Sequence, residues 1–198
     1  MNIERLKELV EIAVQPSSPI PPSIISYCEG YHSPYYNLMY LLAMEYMHRA
    51  FADDASLPPL CVELGVEGGR GSNAFLQGGA IVIGVDNNHK PEVDRIIGHK
   101  NFTFIHGSSL PPHESIREMG RCISVLHVDT EHSWAQAREE FNAYKPYLIN
   151  GAVVLFDDTN AMEGEVKGFV ETLPYDKFVD DRLHPQCGYA GIVFQDNA

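Results

Sequence analysis

Val62-Glu63-Leu64-Gly65-Val66-Glu67-Gly68-Gly69-Arg70-Gly71-Ser72, followed by Ile81-Val82-Ile83-Gly84-Val85-Asp86, is the stretch whose reading decides the fold. A short apolar run, Leu60 to Val62, ends in an acid and a glycine-rich turn. A helix-length segment follows, and a second apolar run, Ala80 to Val85, also ends in an acid. Strand, turn, helix, strand is the βαβ unit of a parallel sheet. In open parallel sheets the ligand lies beyond the carboxyl ends of the strands, where Glu63 and Asp86 both fall.

The glycines have mechanical jobs. Gly65 and Gly69 allow backbone conformations and a close ligand approach that a Cβ would block. Gly71 and Ser72 open a helix whose free N–H groups face the ligand. Asp86 is placed to accept hydrogen bonds from the hydroxyls of a ribose. Two nucleotide-type cofactors suit this layout. Gly69, Gly71 and Ala74 satisfy the loose dinucleotide pattern GxGxxG/A, which puts a pyrophosphate at the helix N-terminus. An acid at Glu63 serves a pyrophosphate poorly. S-adenosylmethionine carries an ammonium, a carboxylate and a sulfonium but no phosphate, so it welcomes a carboxylate there. The plainest alternative is a glycine loop that only joins strand to helix.

The chain has 198 residues, 44% of them hydrophobic, which suits one domain with a full core. A formal net charge of -13 argues against a nucleic-acid partner and an anionic membrane surface. Cys28, Cys61, Cys122 and Cys187 form no CxxC pair and no zinc spacing. Cys61 and Cys122 fall inside expected strands and read as buried thiols in a reduced, cytoplasmic setting. Charges throughout the N-terminus (Glu4, Arg5, Lys7, Glu8, Glu11) exclude a signal peptide, and no apolar run is long enough to span a bilayer.

Residues 1–54 read as an N-terminal helical segment packed on a core of residues 55–198. Ile3, Leu6, Val10 and Ala13 share one helical face, and Pro16, Pro19, Pro21 and Pro22 end that helix. Ser33-Pro34 starts a second helix, to about His48, whose apolar length serves a homo-oligomer as easily as a core. Tyr31, His32, Tyr35 and Tyr36 cluster at its start, either at a substrate mouth or as ordinary packing. Beyond the βαβ unit come a short helix (91–97), a strand (102–105) followed by Gly107-Ser108-Ser109, and a helix starting at Pro111-Pro112 and stopped by Gly120. A strand from Cys122 to Val128, a helix from Ser133 to Tyr144 and a strand from Ala152 to Phe156 follow. A weak helix from Glu163 to Leu173 is interrupted by Gly164 and Gly168. Phe178–Val179 and Ala190–Phe194 form a last antiparallel pair, with His184, Gln186 and Tyr189 in its loop, as solvated residues or facing an acceptor. A doubly wound α/β three-layer sandwich is the natural architecture.

The fourth strand ends in His127-Val128-Asp129-Thr130-Glu131-His132 and the fifth in Phe156-Asp157-Asp158-Thr159-Asn160. Neighbouring strand ends let Asp129, Asp157 and Asp158 converge. Hard oxygen ligands in that number suit Mg²⁺, Mn²⁺ or Ca²⁺. With no cationic residue adjacent in sequence, the three would repel one another without a cation or protons. His132 lies where the chain leaves the strand, so its ring can point back over the site. Helix capping accounts equally well for any one of these acids taken alone.

Taken together, these features make the chain resemble a class I S-adenosylmethionine-dependent methyltransferase over about residues 55–195. More narrowly it resembles the group that includes macrocin-type sugar O-methyltransferases and cephalosporin-hydroxylase-like proteins. The residues that carry the resemblance are Glu63-Leu64-Gly65, Asp86, Asp129 to His132 and Asp157-Asp158. It implies a Rossmann-like, seven-stranded, mostly parallel sheet with a reversed last strand. It implies cofactor contacts at Glu63, Gly65 and Asp86, to which the glycine turn adds Gly69 and Ser72 and the strand ends add Ser108 and Asp129. It also implies Mg²⁺ at Asp129, Asp157 and Asp158 and His132 as general base. Related catechol-type enzymes have Asp-Asn where this chain has Asp-Asp. Thr130 stands in place of the usual glycine after Asp129, and Ser108 in place of a frequent Asp.

The expected function is Mg²⁺-dependent O-methyl transfer from S-adenosylmethionine to a small hydroxylated molecule. His132 and Asp129 are the expected catalytic residues: the bound ion would lower the hydroxyl's pKa and fix its position, and His132 would take its proton. The alternatives are an NAD-linked oxidoreductase, which gives Asp157-Asp158 no role, a non-catalytic S-adenosylmethionine-binding protein, and a hydroxylase, for which no two-histidine-one-carboxylate iron pattern is visible. A lid would come from residues 15–36, from the segment after Asn160, or from His184 to Tyr189.

Overall fold

The computed structural model describes residues 1–18, 21, 33–52, 57–120 and 122–196. Its strands are β1 (Leu60–Leu64), β2 (Ile81–Asp86), β3 (Phe102–His106), β4 (Ile123–Val128), β5 (Leu148–Asp157), β6 (Lys177–Val179) and β7 (Tyr189–Val193). They make one seven-stranded sheet in the order β3-β2-β1-β4-β5-β7-β6. The pairs among β1 to β5 are parallel, and β7 runs antiparallel to both β5 and β6. Every residue of β1, β4 and β7 is buried, as expected of apolar runs covered on both faces.

The helices are α1 (Ile3–Ala13), α2 (Pro34–Ala52), α3 (Arg70–Gln77), α4 (Asp94–Ile97), α5 (Glu114–Met119), α6 (Trp134–Tyr144) and α7 (Glu165–Thr172). The two-residue period of the strands divides the core. Cys61, Val82, Val125 and Val153 pack with α1, α2 and α3 on one face. Val62, Ile83, Leu126 and Val154 pack with α5, α6 and α7 on the other. Leu38, Met39, Leu42 and Ala43 of α2 lie in the first core, so that helix spends its apolar face within the chain. Glu45 of α2 takes Arg5 of α1 at 2.8 Å and Arg49 at 3.0 Å, which ties the two helices together.

Several boundaries move from their expected places. The α2 helix runs a turn past His48, to Ala52, and the Ser33 hydroxyl donates to Leu183 O at 2.7 Å. The helix expected at Pro111-Pro112 begins at Glu114, with His113 as its cap, because a proline disfavours helical backbone in the residue before it. β5 starts at Leu148 rather than Ala152. Asn150-Gly151 reads as a turn, but Gly151 O is taken by the Met1 ammonium at 3.0 Å and Tyr46 Oη at 2.5 Å. The weak helix separates into a short 3-10 turn, Met162–Gly164, and α7, parted by Gly164 at φ +83°. Cys122 precedes β4 and is half-buried, not a core thiol. Tyr189 belongs to β7 and is fully buried, not in the hairpin loop. Cys28, Tyr31, His32 and much of the 15–36 segment lie outside the described residues. No helix among the described residues is long and apolar enough to cross a membrane.

Candidate active site

The strand order reverses at β1, with β2 on one side and β4 on the other, and ligand crevices in such sheets open at the carboxyl ends there. The cleft at this edge has a volume of about 830 Å³, and its walls include Gly65, Asp86, Ser108, Asp129, His132 and Asp158. Gly65 leaves β1 at φ +84°, and a Cβ there would overlap the Asp129 carbonyl oxygen. Only glycine lets the turn lie flat on the end of β4. The Gly65 amide donates to Val85 O at 2.9 Å and the Asp129 amide to Leu64 O at 2.8 Å, pinning the three strand ends.

Toward β2, the chain's own donors hold the acids. Asp86 Oδ2 accepts the Val66 and Glu67 amides, each at 2.8 Å, and Oδ1 accepts the Asn88 amide at 2.8 Å. Asp86 thereby shapes the glycine turn, and Oδ1 keeps acceptor capacity. Glu63 lies within β1 rather than after it and is 2% exposed. Its carboxylate accepts the Ser72 hydroxyl and lies 3.2 Å from His127 Nδ1. Ser72 is itself fully buried, so its hydroxyl acts on the cleft through Glu63. Gly69, at φ +77°, opens α3. Ser108 lines the cleft and accepts the Leu110 amide at 3.1 Å. Behind it the buried Glu140 accepts Ser109 at 2.6 Å, Thr130 at 2.8 Å and Gln136 at 2.9 Å. The Thr130 hydroxyl, in the place of a glycine, is thus committed to Glu140. Burial raises the Glu140 pKa against the pull of those three donors.

Toward β5 the arrangement changes. Asp157, 4% exposed, accepts His184 Nδ1 and the Asp158 amide on Oδ1, each at 2.7 Å. Asp158 adopts φ +52°, and its Oδ2 lies 3.0 Å from His132 Nδ1. Burial works to raise Asp158, but bonds from His132 and the Cys187 thiol hold it below the ordinary carboxylate value. The bond to Asp158 raises His132, against burial. Burial opposes a charge on His184, yet Asp157 raises it. Burial, with Asp158 alongside, pushes the Cys187 thiol up to about 11. No side chain among the described residues donates to Asp129. Burial, and then the charges of Asp157, Glu63 and Asp158, push it well above its ordinary value.

Donor atoms fall within 4.8 Å of one another in the set Asp129, His132, Asp158 and in the set His127, Asp129, Asp157. The three expected carboxylates thus meet through Asp129, with Asp158 on the His132 side and Asp157 on the His184 side. A cavity of about 340 Å³ beside them is lined by Tyr35, Tyr36, Arg70, Asp129, Asp158 and His184, among others.

A family model described as a methyltransferase domain matches residues 62–159. Residues 62–159 therefore carry a methyltransferase domain. No curated protein matches it in sequence. Among solved structures it is similar to a protein from Corynebacterium glutamicum, with a TM-score of 0.66 and 10% identity over 96% of this chain and 98% of that one. It is also similar to CalS11, a TDP-rhamnose 3′-O-methyltransferase of calicheamicin biosynthesis, with a TM-score of 0.56 and 18% identity over 98% of this chain and 93% of that one. A third is the MycE methyltransferase of the mycinamycin pathway, solved with Mg, S-adenosylhomocysteine and mycinamycin VI. That match has a TM-score of 0.53 and 17% identity, covers 78% of this chain and spans half the length of that one. At these identities the likeness shows the fold.

The cleft contains residues that the sequence did not flag, Arg70 and His127, and others whose place it left open. Arg70, in the glycine turn, brings a cation to the cavity beside Asp157 and Asp158, although none is adjacent in sequence. His127 stands opposite Glu63 in the β1–β4 register. Its strand spacing carried the signal, because His127 and Asp129 are two residues apart and share a face. His184, expected either as a solvated loop residue or facing an acceptor, is 7% exposed and bonded to Asp157, whereas Gln186 is exposed. Tyr35 and Tyr36 are buried, joined through their hydroxyls at 2.6 Å, and the Tyr35 ring stacks on Tyr189 at 5.1 Å.

Proposed function

We propose that this methyltransferase moves the methyl group of S-adenosylmethionine to a hydroxyl oxygen of a small acceptor, with a divalent cation, Mg²⁺ first, at Asp129, Asp157 and Asp158. The observation that carries the reading is the half-buried Asp129 carboxylate, which stands beside Asp157 and Asp158 with no donor from the described residues. Oxygen donors with compressed negative charge are what a hard divalent ion fits. The magnesium and S-adenosylhomocysteine in the mycinamycin-pathway structure and the sugar O-methyl transfer in the name of CalS11 support the same reading.

When bound, the ion supplies Lewis acidity that lowers the pKa of a coordinated hydroxyl, and the cofactor supplies an electrophilic methyl group. The chain does the rest. Glu63, held by Ser72 and His127, presents negative charge toward the cofactor ammonium, and Asp86 offers Oδ1 to its ribose. Gly65 and Ser108 line the cleft, and Gly69 opens the helix that follows the turn. His132 is oriented by Asp158 through Nδ1, which leaves Nε2 to accept the proton of the acceptor hydroxyl. Holding oxygen and methyl carbon in line at one sheet edge makes the transfer effectively unimolecular. Tyr35, Tyr36 and His184 wall the acceptor cavity.

The test is titration calorimetry with S-adenosylhomocysteine and NAD, with and without Mg²⁺, followed by labelled methyl transfer to matched hydroxyl and amine panels. The proposal expects micromolar S-adenosylhomocysteine binding, Mg²⁺ binding that is lost in Asp158→Ala, and label on hydroxyl acceptors only when Mg²⁺ is present. Label on amines alone, or full turnover after exhaustive chelation, would overturn it.

A further inference from the structure

We propose that Asp158, His184 and Cys187 form a binding site for a zinc-class divalent ion, one whose ligand chemistry differs from that of the all-oxygen site above. The turn His184-Pro185-Gln186-Cys187 is closed by the Cys187 and Gly188 amides, which donate to His184 O at 3.2 and 2.7 Å. Imidazole and thiol are therefore presented by one fixed turn. That turn is fastened to the segment after β5, because the Asn160 amide donates to Cys187 O at 2.7 Å. Gly188, at φ +77°, packs so closely on Thr159 and Asn160 that a Cβ would clash with both. Asp158 is thereby brought to the same place from a distant part of the chain.

One donor atom from each of the three residues lies within 4.8 Å of the other two. His184 Nδ1 is 3.7 Å from Asp158 Oδ1. Ligands bound about 2.0–2.3 Å from a tetrahedral centre stand about 3.3–3.8 Å apart, so this pair is already at ligand spacing. Asp157 Oδ1, 2.7 Å from the same nitrogen, is its hydrogen-bond partner and too close to be a ligand as it stands, so metal binding releases the Nδ1 proton and leaves the fourth position to water. A nitrogen and a sulfur among the donors favour zinc, cobalt or cadmium over magnesium, whose ligands are oxygen. On binding, the sulfur–metal bond forms as the Cys187 proton leaves to solvent. Cysteines compared only with each other give no zinc spacing, because here the other ligands are a histidine one turn away and an aspartate from another strand end.

The site is read by metal binding and does not depend on methyl transfer. Metal-free protein titrated with Co²⁺ is expected to develop a thiolate-to-cobalt charge-transfer band in the near ultraviolet with a one-to-one end point. Cys187→Ser removes that band and weakens Zn²⁺, measured against a chromophoric chelator, by about tenfold or more. In the unaltered protein, Zn²⁺ also slows alkylation of Cys187 by iodoacetamide, followed by peptide mass spectrometry, so the test does not rest on a variant that has to fold. Cobalt binding without the band, a band that survives Cys187→Ser, or an unchanged alkylation rate at Cys187 overturns the site.

Discussion

Toward β2 the acids of the cleft take their hydrogen bonds from the chain itself, Asp86 from three amides and Glu63 from Ser72 and His127. Toward β5, Asp129 stands half-buried beside Asp157 and Asp158 without such a donor, and its pKa is driven up. Two like charges about 4 Å apart repel by about 4 kcal/mol at the effective dielectric near a protein surface. The first half of the cleft is finished before any ligand arrives, which suits a cofactor held in one fixed pose. The second half is electrostatically unfinished and is completed by a cation or protons. Under the proposed function, that asymmetry separates the part that binds the cofactor from the part that does the chemistry.

The largest effect that separates the halves is on turnover. The His132 side chain is bonded to Asp158, on the acid side of the cleft. Replacing it by Ala should lower kcat by about 10²–10⁴-fold, the usual range for a general base. S-adenosylhomocysteine affinity, read by calorimetry, should stay within about twofold, the scatter allowed to a residue that makes no binding contact. Intact turnover would remove the base from the acid half.

Stability divides the halves next, and by sign. Glu63→Gln disturbs a buried acceptor that two side chains serve, so it should cost about 1–3 kcal/mol. Asp129→Asn takes away a charge that the fold leaves unpaired. In the absence of divalent ions it should therefore stabilise the protein, by about 1 kcal/mol. Thermal melts of the two variants in chelator make the comparison. If Asp129→Asn destabilises as much as Glu63→Gln, the acid half is already balanced, with Arg70 the obvious source, and the contrast between the halves fails.

How much of this the sequence shows depends on whether a feature is local. The βαβ unit is legible because its apolar runs, glycine turn and terminal acids are contiguous, and the alternation of later runs carries the rest of the sheet. Asp129, His132, Asp157 and Asp158 are legible as residues at strand ends. Their division of labour is not, because it depends on the His184 turn returning against β5 and on the left-handed backbone at Asp158. Arg70 was hidden for the same reason, since its charge joins the acids only across the top of the sheet. The start of β5 was missed because Asn150-Gly151 is a local turn signal that Met1 and Tyr46, far away in sequence, override.

A carboxylate far from the cleft calibrates the comparison. Glu45 sits between Arg5 and Arg49, and its pKa is lowered by the bond from Arg5 first and then, against some burial, by that from Arg49. The pair geometry is good, but both arginines are well exposed, so solvent screens them and the interaction is worth under about 1 kcal/mol. An acid whose pKa is lower folded than unfolded adds stability above its unfolded value. That stability is lost as pH falls through the folded value, because the unfolded chain takes up the proton first. Glu45→Gln should therefore melt slightly below wild type at pH 7, and the gap should close as the pH is taken below the ordinary glutamate range. A gap that stayed constant with pH would mean that Glu45 acts through packing of α1 on α2 rather than through charge. Glu45 would then no longer represent a compensated acid against which Asp129 can be judged.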